Sequence, residues 1–234
     1  MQDWQRQLTA LIRAEAEVMV GFGSLEDVPA AGALGFCTGI SIGHPLEPAI
    51  VAELSGGPTL AYNAAYYRIN DTLDRLDQLA ADWLMAQGRR AFPLTRAHVT
   101  IEKPGFRTVL PHKTAALRAG HGWIGKSGLL VTPDYGPAVR FSTVLTDIPL
   151  EVAPLPEDRC GGCTACRDAC PAQAVVGINW KPHLPREAYY SAEACQAYAS
   201  RRCADLGVTN DICGICIHAC PYTRRYLRKS GLAS

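Results

Sequence analysis

The chain has 234 residues, 48% of them hydrophobic and 19% charged, with a formal net charge of +1. Such a chain can bury a sizeable core as one large domain, or as a core domain with an appendage, and it lacks the composition of a disordered protein. The near-zero charge gives no general reason to expect a nucleic-acid partner, and apolar runs such as 128–132 and 194–199 are far too short to span a bilayer.

The N-terminal segment contains acids and no apolar core with a cleavage site. It reads as neither a secretory signal nor a twin-arginine leader, so a cytoplasmic protein with no membrane partner is expected. Leu8, Leu11, Ile12, Val18 and Met19 recur at helical spacing and predict an N-terminal helix. Residues 36–43 (FCTGISIG) read as a strand with Cys37 as a core thiol. A long helix is predicted over 60–87, with Ala65, Ile69, Leu73, Leu76, Ala80, Trp83 and Leu84 as its apolar stripe and Gly88 closing it. Residues 97–102 alternate weakly, as a strand would, and 112–119 form a short helix ended by Gly120. Segments 129–132 and 138–146 read as a hairpin turned by Pro133-Asp134-Tyr135-Gly136. Pro149, Pro154 and Pro156 then mark a connection, dividing an α/β body (1–152) from a cysteine-rich module (153–234).

Nine of the ten cysteines lie beyond residue 159. A disulfide framework would staple separate segments, whereas this clustering points to metal. The first run is Cys160-x2-Cys163-x2-Cys166-x3-Cys170-Pro171, the spacing of the bacterial ferredoxin run. In such a run three thiolates wrap one cubane and the fourth ligates the other cluster. The second run, Cys213-x2-Cys216-x3-Cys220-Pro221, lacks a front cysteine, for which Cys195 and Cys203 are the candidates. One 4Fe–4S cluster is thus expected on Cys160, Cys163, Cys166 and Cys220. The other is expected on Cys170, Cys213, Cys216 and one of the upstream pair. Zinc wants four ligands, fewer than the seven regularly spaced cysteines and two Cys-Pro endings present here.

Residues 115–150 (AALRAGHGWIGKSGLLVTPDYGPAVRFSTVLTDIPL), followed by the cysteine run, resemble the core of the epoxyqueuosine reductases, which are related to the reductive dehalogenases. The resemblance runs from about Tyr62 to Tyr222 and rests on AGxGWxGK, on TDIPL and on the order of the two cysteine runs. It implies an α+β protein: a nitroreductase-like body joined to a ferredoxin-like dicluster module, with a cobalamin between them. It also selects Cys195, in SAEACQAY, as the eighth ligand. Gly122, Trp123, Gly125, Lys126 and Ser127 become the candidate corrinoid contacts. The glycines would let backbone approach a flat ligand, while Lys126 and Ser127 would hydrogen-bond its propionamides or phosphate. This segment precedes the cysteine runs by more than thirty residues, so it is expected to serve the corrinoid without touching the clusters.

Departures from the family pattern bear on the substrate. The relatives carry an acid shortly before the short helix, where this chain reads Phe106-Arg107-Thr108-Val109-Leu110. Glu102 is the nearest acid, and Tyr66 on the long helix is a further proton-donor candidate. No match to the relatives' helical-repeat, tRNA-gripping tail is read in the sequence. The expected function is a corrinoid-binding redox protein. It would take electrons from a low-potential donor protein and pass them to cobalt, on its own corrinoid or on a corrinoid protein. Epoxyqueuosine reduction on tRNA and ferredoxin-type electron carriage are the alternatives.

Overall fold

The computed structural model describes residues 2–232. Helix α1 (Asp3–Glu15) buries Leu8 and Ile12 and stops where Ala16 turns extended. Val18 and Met19 therefore leave the predicted helix, and Met19 opens strand β1 (Met19–Ser24). Helix α2 (Pro29–Ala33), strand β2 (Thr38–Pro45) and helix α3 (Pro48–Ala52) follow. Helix α4 (Leu60–Ala86) matches the predicted long helix: the Thr59 hydroxyl accepts from the Tyr62 N–H, and Ala65, Ile69, Leu73, Leu76, Ala80 and Leu84 are buried. Strand β3 (Ala91–Pro93) comes next, then helix α5 (His112–Arg118).

Three local expectations need correction. Residues 97–102 form no strand; Glu102 instead bridges Arg107 across a tight turn. The expected 129–146 hairpin is absent. Its first half, β5 (Leu130–Val131), pairs backwards with β4 (Trp123–Ile124). Its second half, β6 (Val139–Thr146), pairs with β2 and β3. Cys37 sits half-buried just before β2 rather than in the core.

The four-stranded sheet has the order β1-β2-β6-β3 with antiparallel neighbours. Alternation along the strands gives it two faces. Ile40, Ile42 and Val144 face α1 and α4, in the same buried cluster as Leu8, Ile69 and Leu76. Thr143 and Ser41 face α5, where His112 Nδ1 meets Thr143 Oγ1 at 3.0 Å. Helix α5 rests flush on β1 because Gly23 carries no side chain: a Cβ there would lie 2.4 Å from the Arg118 carbonyl carbon.

Beyond β6 regular structure is sparse. Helices α6 (Ala165–Asp168) and α8 (Ile215–Ala219) are single turns, separated by α7 (Ala192–Asp205) and followed by α9 (Pro221–Lys229). Cys203, Ile212, Ile217 and Leu227 from this half share the main core cluster with Leu54 and Ile69 of the body. Among the described residues no helix is long and apolar enough to cross a membrane.

Candidate redox site

The turn from β4 to β5 sets the position of the site. The Gly125 N–H donates to Leu129 O at 2.8 Å, and Lys113 Nζ on α5 holds Gly128 O at 2.8 Å. Only glycine fits at 122, where a Cβ would stand 1.9 Å from Val131 O. The turn carries Trp123 and Lys126 across to the first cysteine run. Trp123 Nε1 donates to Cys160 Sγ at 3.3 Å, and Lys126 Nζ donates to the Cys163 carbonyl at 2.8 Å. Gly125 also closes on this run: a Cβ there would lie 3.6 Å from Cys160 Sγ.

Cys160, Cys163, Cys166 and Cys220 line one cavity of about 170 Å³, together with Gly125, Lys126, Ser127 and Tyr222. Cys170, Cys195, Cys213 and Cys216 line a second, of about 210 Å³, together with Tyr62, Tyr190 and Pro171. Cys216 and Ser127 belong to both linings, so the cavities adjoin. Cys203 lines neither; it is fully buried in the main core with its Sγ 3.3 Å from Ile212 O. Among the described residues no three His, Cys, Asp or Glu side chains converge closely enough to hold a single metal ion. The sulfurs ring a volume instead, which is what a cubane with four irons at its corners needs.

The electrostatics agree with that donor set. Burial pushes the Cys160, Cys166, Cys195, Cys213, Cys216 and Cys220 thiols up, Cys220 to about 11. Neighbouring thiols add to the shift: Cys160 and Cys166 act on Cys220, while Cys195 and Cys170 act on Cys213. Thiolates packed this way need compensating positive charge, which iron supplies on binding. The chain's residues thus fit two iron–sulfur clusters.

The structure sets the glycine motif against the first cysteine run. Gly122, Trp123, Gly125, Lys126 and Ser127 are all buried. Their close approaches are to β5 and to the first cysteine run, not to an open face. The expectation that this motif would leave the clusters untouched is therefore overturned. Sequence spacing held no signal for this contact, because Trp123 and Cys160 meet across 37 positions.

The proton-donor candidates lie apart from both cavities. Tyr66 packs under the Arg140 guanidinium, 4.1 Å from its ring centroid. Glu102 is exposed on the tight turn, where Arg107 pairs with Glu187 at 2.6 Å. Tyr62, one turn before Tyr66, lines the second cavity, and burial pushes its hydroxyl up to about 12. His121 is buried against Phe141 with Nε2 3.3 Å from Ser41 O.

Comparison with known proteins places this arrangement. No protein-family model matches the chain. Among solved structures, it is similar to a reductive dehalogenase whose structure suggests a mechanism for B12-dependent dehalogenation. That likeness has a TM-score of 0.70 at 20% identity and covers 96% of this chain and 33% of the other. An epoxyqueuosine reductase with an epoxyqueuosine-modified tRNA-Tyr stem loop gives a TM-score of 0.58 at 18% identity, covering 93% of this chain and 64% of the other. These likenesses define the class: a mixed helix-and-sheet protein with the fold shared by epoxyqueuosine reductases and reductive dehalogenases. In sequence, the chain is 33% identical over 125 residues to the epoxyqueuosine reductase of Synechocystis sp., covering 53% of this chain and 43% of the relative. It is 30% identical over 185 residues to that of Pseudomonas aeruginosa, covering 74% of this chain and 47% of the relative. The chain is a partial-length member of the epoxyqueuosine reductase family, and its matches span between 17% and 47% of the length of the curated relatives.

Proposed function

We propose that the chain is an oxidoreductase carrying two 4Fe–4S clusters, and that its substrate is epoxyqueuosine in tRNA. One cluster is assigned to Cys160, Cys163, Cys166 and Cys220, and the other to Cys170, Cys195, Cys213 and Cys216. Residues 1–152 act as a nitroreductase-like body and 153–234 as a ferredoxin-like dicluster module. The observation that carries the redox assignment is the gathering of eight cysteines around two adjoining cavities, with Cys216 shared between them and Cys203 outside both. The substrate rests on the sequence relation to epoxyqueuosine reductases. Nucleic acid thereby becomes a proposed partner despite the net charge of +1.

When bound, the clusters supply low-potential electrons one at a time. Reducing the epoxide to its alkene takes two electrons and two protons and releases water. This chain's residues hold the ligand loops in place: Lys126 clamps the Cys163 carbonyl, and Asp158 Oδ1 accepts from the Cys160 N–H at 2.8 Å. Cobalamin enters the proposal through the B12-dependent dehalogenase that shares the fold. Gly125, Lys126 and Ser127 of the glycine motif are assigned to the first cluster's cavity, with Trp123 beside it on Cys160 Sγ.

A second reading is favoured by one observation. The stretch from Phe106 to Leu110 offers Arg107, ion-paired to Glu187, where the sequence resemblance leads one to expect an acid. In that reading the chain passes electrons from a low-potential donor protein to a corrinoid and does not itself handle tRNA.

The test is anaerobic reconstitution followed by three measurements. Iron and acid-labile sulfide should reach about eight each per chain, two cubanes' worth. Cobalamin added to the holo-protein should be retained, as read from its visible bands. Epoxyqueuosine-modified tRNA with a one-electron reductant should yield queuosine by mass spectrometry. Full clusters and bound cobalamin without queuosine select the second reading. Full clusters without cobalamin binding leave a ferredoxin-type carrier, and zinc without sulfide defeats the cluster assignment.

A further inference from the structure

The two cysteine cavities are electrostatically unequal. The cavity of Cys160, Cys163, Cys166 and Cys220 is lined by the cationic side chains of Lys126 and Arg159, with one carboxylate, Asp158, beside it on the Cys160 N–H at 2.8 Å. Lys126 is only 5% exposed, and its Nζ sits on the Cys163 carbonyl at 2.8 Å. Cys160 Sγ receives two N–H groups, the Trp123 indole at 3.3 Å and the Lys126 backbone. The Arg159 guanidinium lies over that same indole, 5.9 Å from its centroid. The cavity of Cys170, Cys195, Cys213 and Cys216 is lined by Asp211 and by neither Lys nor Arg. The side-chain donor to sulfur there is the Tyr190 hydroxyl, on Cys195.

A thiolate-ligated cubane gains one negative charge and no proton when it takes up one electron. Hydrogen bonds to its sulfurs and nearby positive charge stabilise the reduced form and raise the potential, while a nearby carboxylate lowers it. Resting on the two-cluster reading above, we propose that Trp123 and Lys126 hold the cluster on Cys160, Cys163, Cys166 and Cys220 at the higher potential of the two. An electron delivered to either cluster then comes to rest on that one. Trp123 and Lys126 act through the cluster's ligands as positioning residues and make no bond to substrate. This gives the β4–β5 turn a role that its glycines alone do not explain: it grades the two clusters.

The test is a redox titration of the reconstituted holo-protein with dithionite, followed by electron paramagnetic resonance. The parent should show two one-electron waves. Trp123→Phe and Lys126→Met should each lower the higher wave, changing its oxidised-to-reduced balance by about tenfold, or 59 mV for one electron, and should leave the lower wave in place. Tyr190→Phe should lower only the lower wave. Two waves that stay put in both Trp123→Phe and Lys126→Met, at full iron and sulfide, overturn the inference while the two-cluster reading stands. The same holds if Trp123→Phe moves only the lower wave. A parent that holds less than two cubanes of iron defeats the two-cluster reading itself, and the iron count alone shows it. Where Trp123→Phe fails to retain iron, parent protein labelled with nitrogen-15 indole decides. Coupling of that nitrogen to the reduced cluster's spin supports the hydrogen bond, and its absence overturns the proposal.

Discussion

In the body, eight residues of β2 pair in unbroken register with β6, and α4 runs for 27 residues along the sheet. From residue 147 to 232 the described chain makes no ladder beyond the single bridge Val175↔Tyr190, and two of its helices are one turn long. The first region satisfies its backbone through regular hydrogen bonding and buries a wide apolar face. The second wraps its backbone around cysteine cavities and borrows the body's core through Cys203, Ile212 and Leu227. One half is thus organised by its own ladder and the other, on the proposed reading, by the clusters its thiols would hold.

The largest expected effect comes from removing that organiser. Site-level free energies for structural metal centres are on the order of 10 kcal/mol, comparable to a domain's entire margin. In chelator-stripped protein, hydrogen exchange by mass spectrometry should show 160–170 and 213–220 unprotected while β2, β6 and α4 stay protected. Equal protection of both halves in apo-protein would mean that the cysteine loops stand on their own packing.

Next in size is the contrast between two cysteines on one helix. Cys195→Ala should halve the iron to about four per chain, because it opens one cubane. Cys203→Ala should keep the iron and lower stability by about 1 kcal/mol, the order of a single buried heavy atom. Loss of iron only in the Cys203 variant would reverse the ligand assignment.

The same contrast explains what the sequence revealed. The grouping of the cysteine runs around the cavities was readable because the offsets are local: three and four residues fix which sulfurs can face one cavity. Helix α4 was readable because its apolar spacing persists over seven turns. Strand β1 was not, since Val18 and Met19 continue the helical spacing of Leu8 and Ile12 although the backbone has turned extended at Ala16. Strand β6 was given the wrong partner because its true one, β2, lies about a hundred positions away, with Thr38 opposite Thr146. Strand β3 is three residues ending in proline and offers almost no pattern. The contact of Trp123 with Cys160 was missed for a related reason: the glycines around it predict close approach without naming what is approached.

Within the body, a smaller effect is expected at Asp77. This residue is fully buried, takes a 2.6 Å hydrogen bond from Ser142 on Oδ1 and leaves Oδ2 without a partner. Burial first, and then the Asp74 charge, pushes its carboxyl up to about 8, against the opposing Ser142 and Thr143 hydrogen bonds. The fold therefore favours the protonated form. Its stabilising contribution is fully present below the unfolded value near 3.8 and is lost as pH rises through about 8. Urea midpoints of the parent should fall between pH 5 and pH 9, whereas Asp77→Asn should flatten that slope and gain a few kcal/mol, at most, at the alkaline end. Parallel slopes in parent and variant would show Asp77 ionised in the fold.

The smallest effect lies at the seam between the halves, where two neighbouring residues divide the work unequally. Arg186 reaches from the cysteine-rich half into the tight turn of the body, donating to Phe106 O at 2.9 Å and also to Gly105 O, and its side chain is 16% exposed. Glu187 meets Arg107 at 2.6 Å, but both of those side chains are more than half exposed. Charged hydrogen bonds with little water around them contribute about 1.5–3 kcal/mol, while an exposed ion pair contributes about 0.2–1 kcal/mol and fades with salt. Arg186→Ala should therefore loosen the turn by about 2 kcal/mol at any ionic strength, read as faster exchange of the 102–107 amides. Glu187→Gln should change stability by less than about 1 kcal/mol in dilute buffer and by nothing measurable in 1 M salt, where the screening length falls to about 3 Å. If Glu187→Gln proved the more damaging and its effect survived high salt, the seam would be held by the ion pair, and the carbonyl contacts of Arg186 would be incidental.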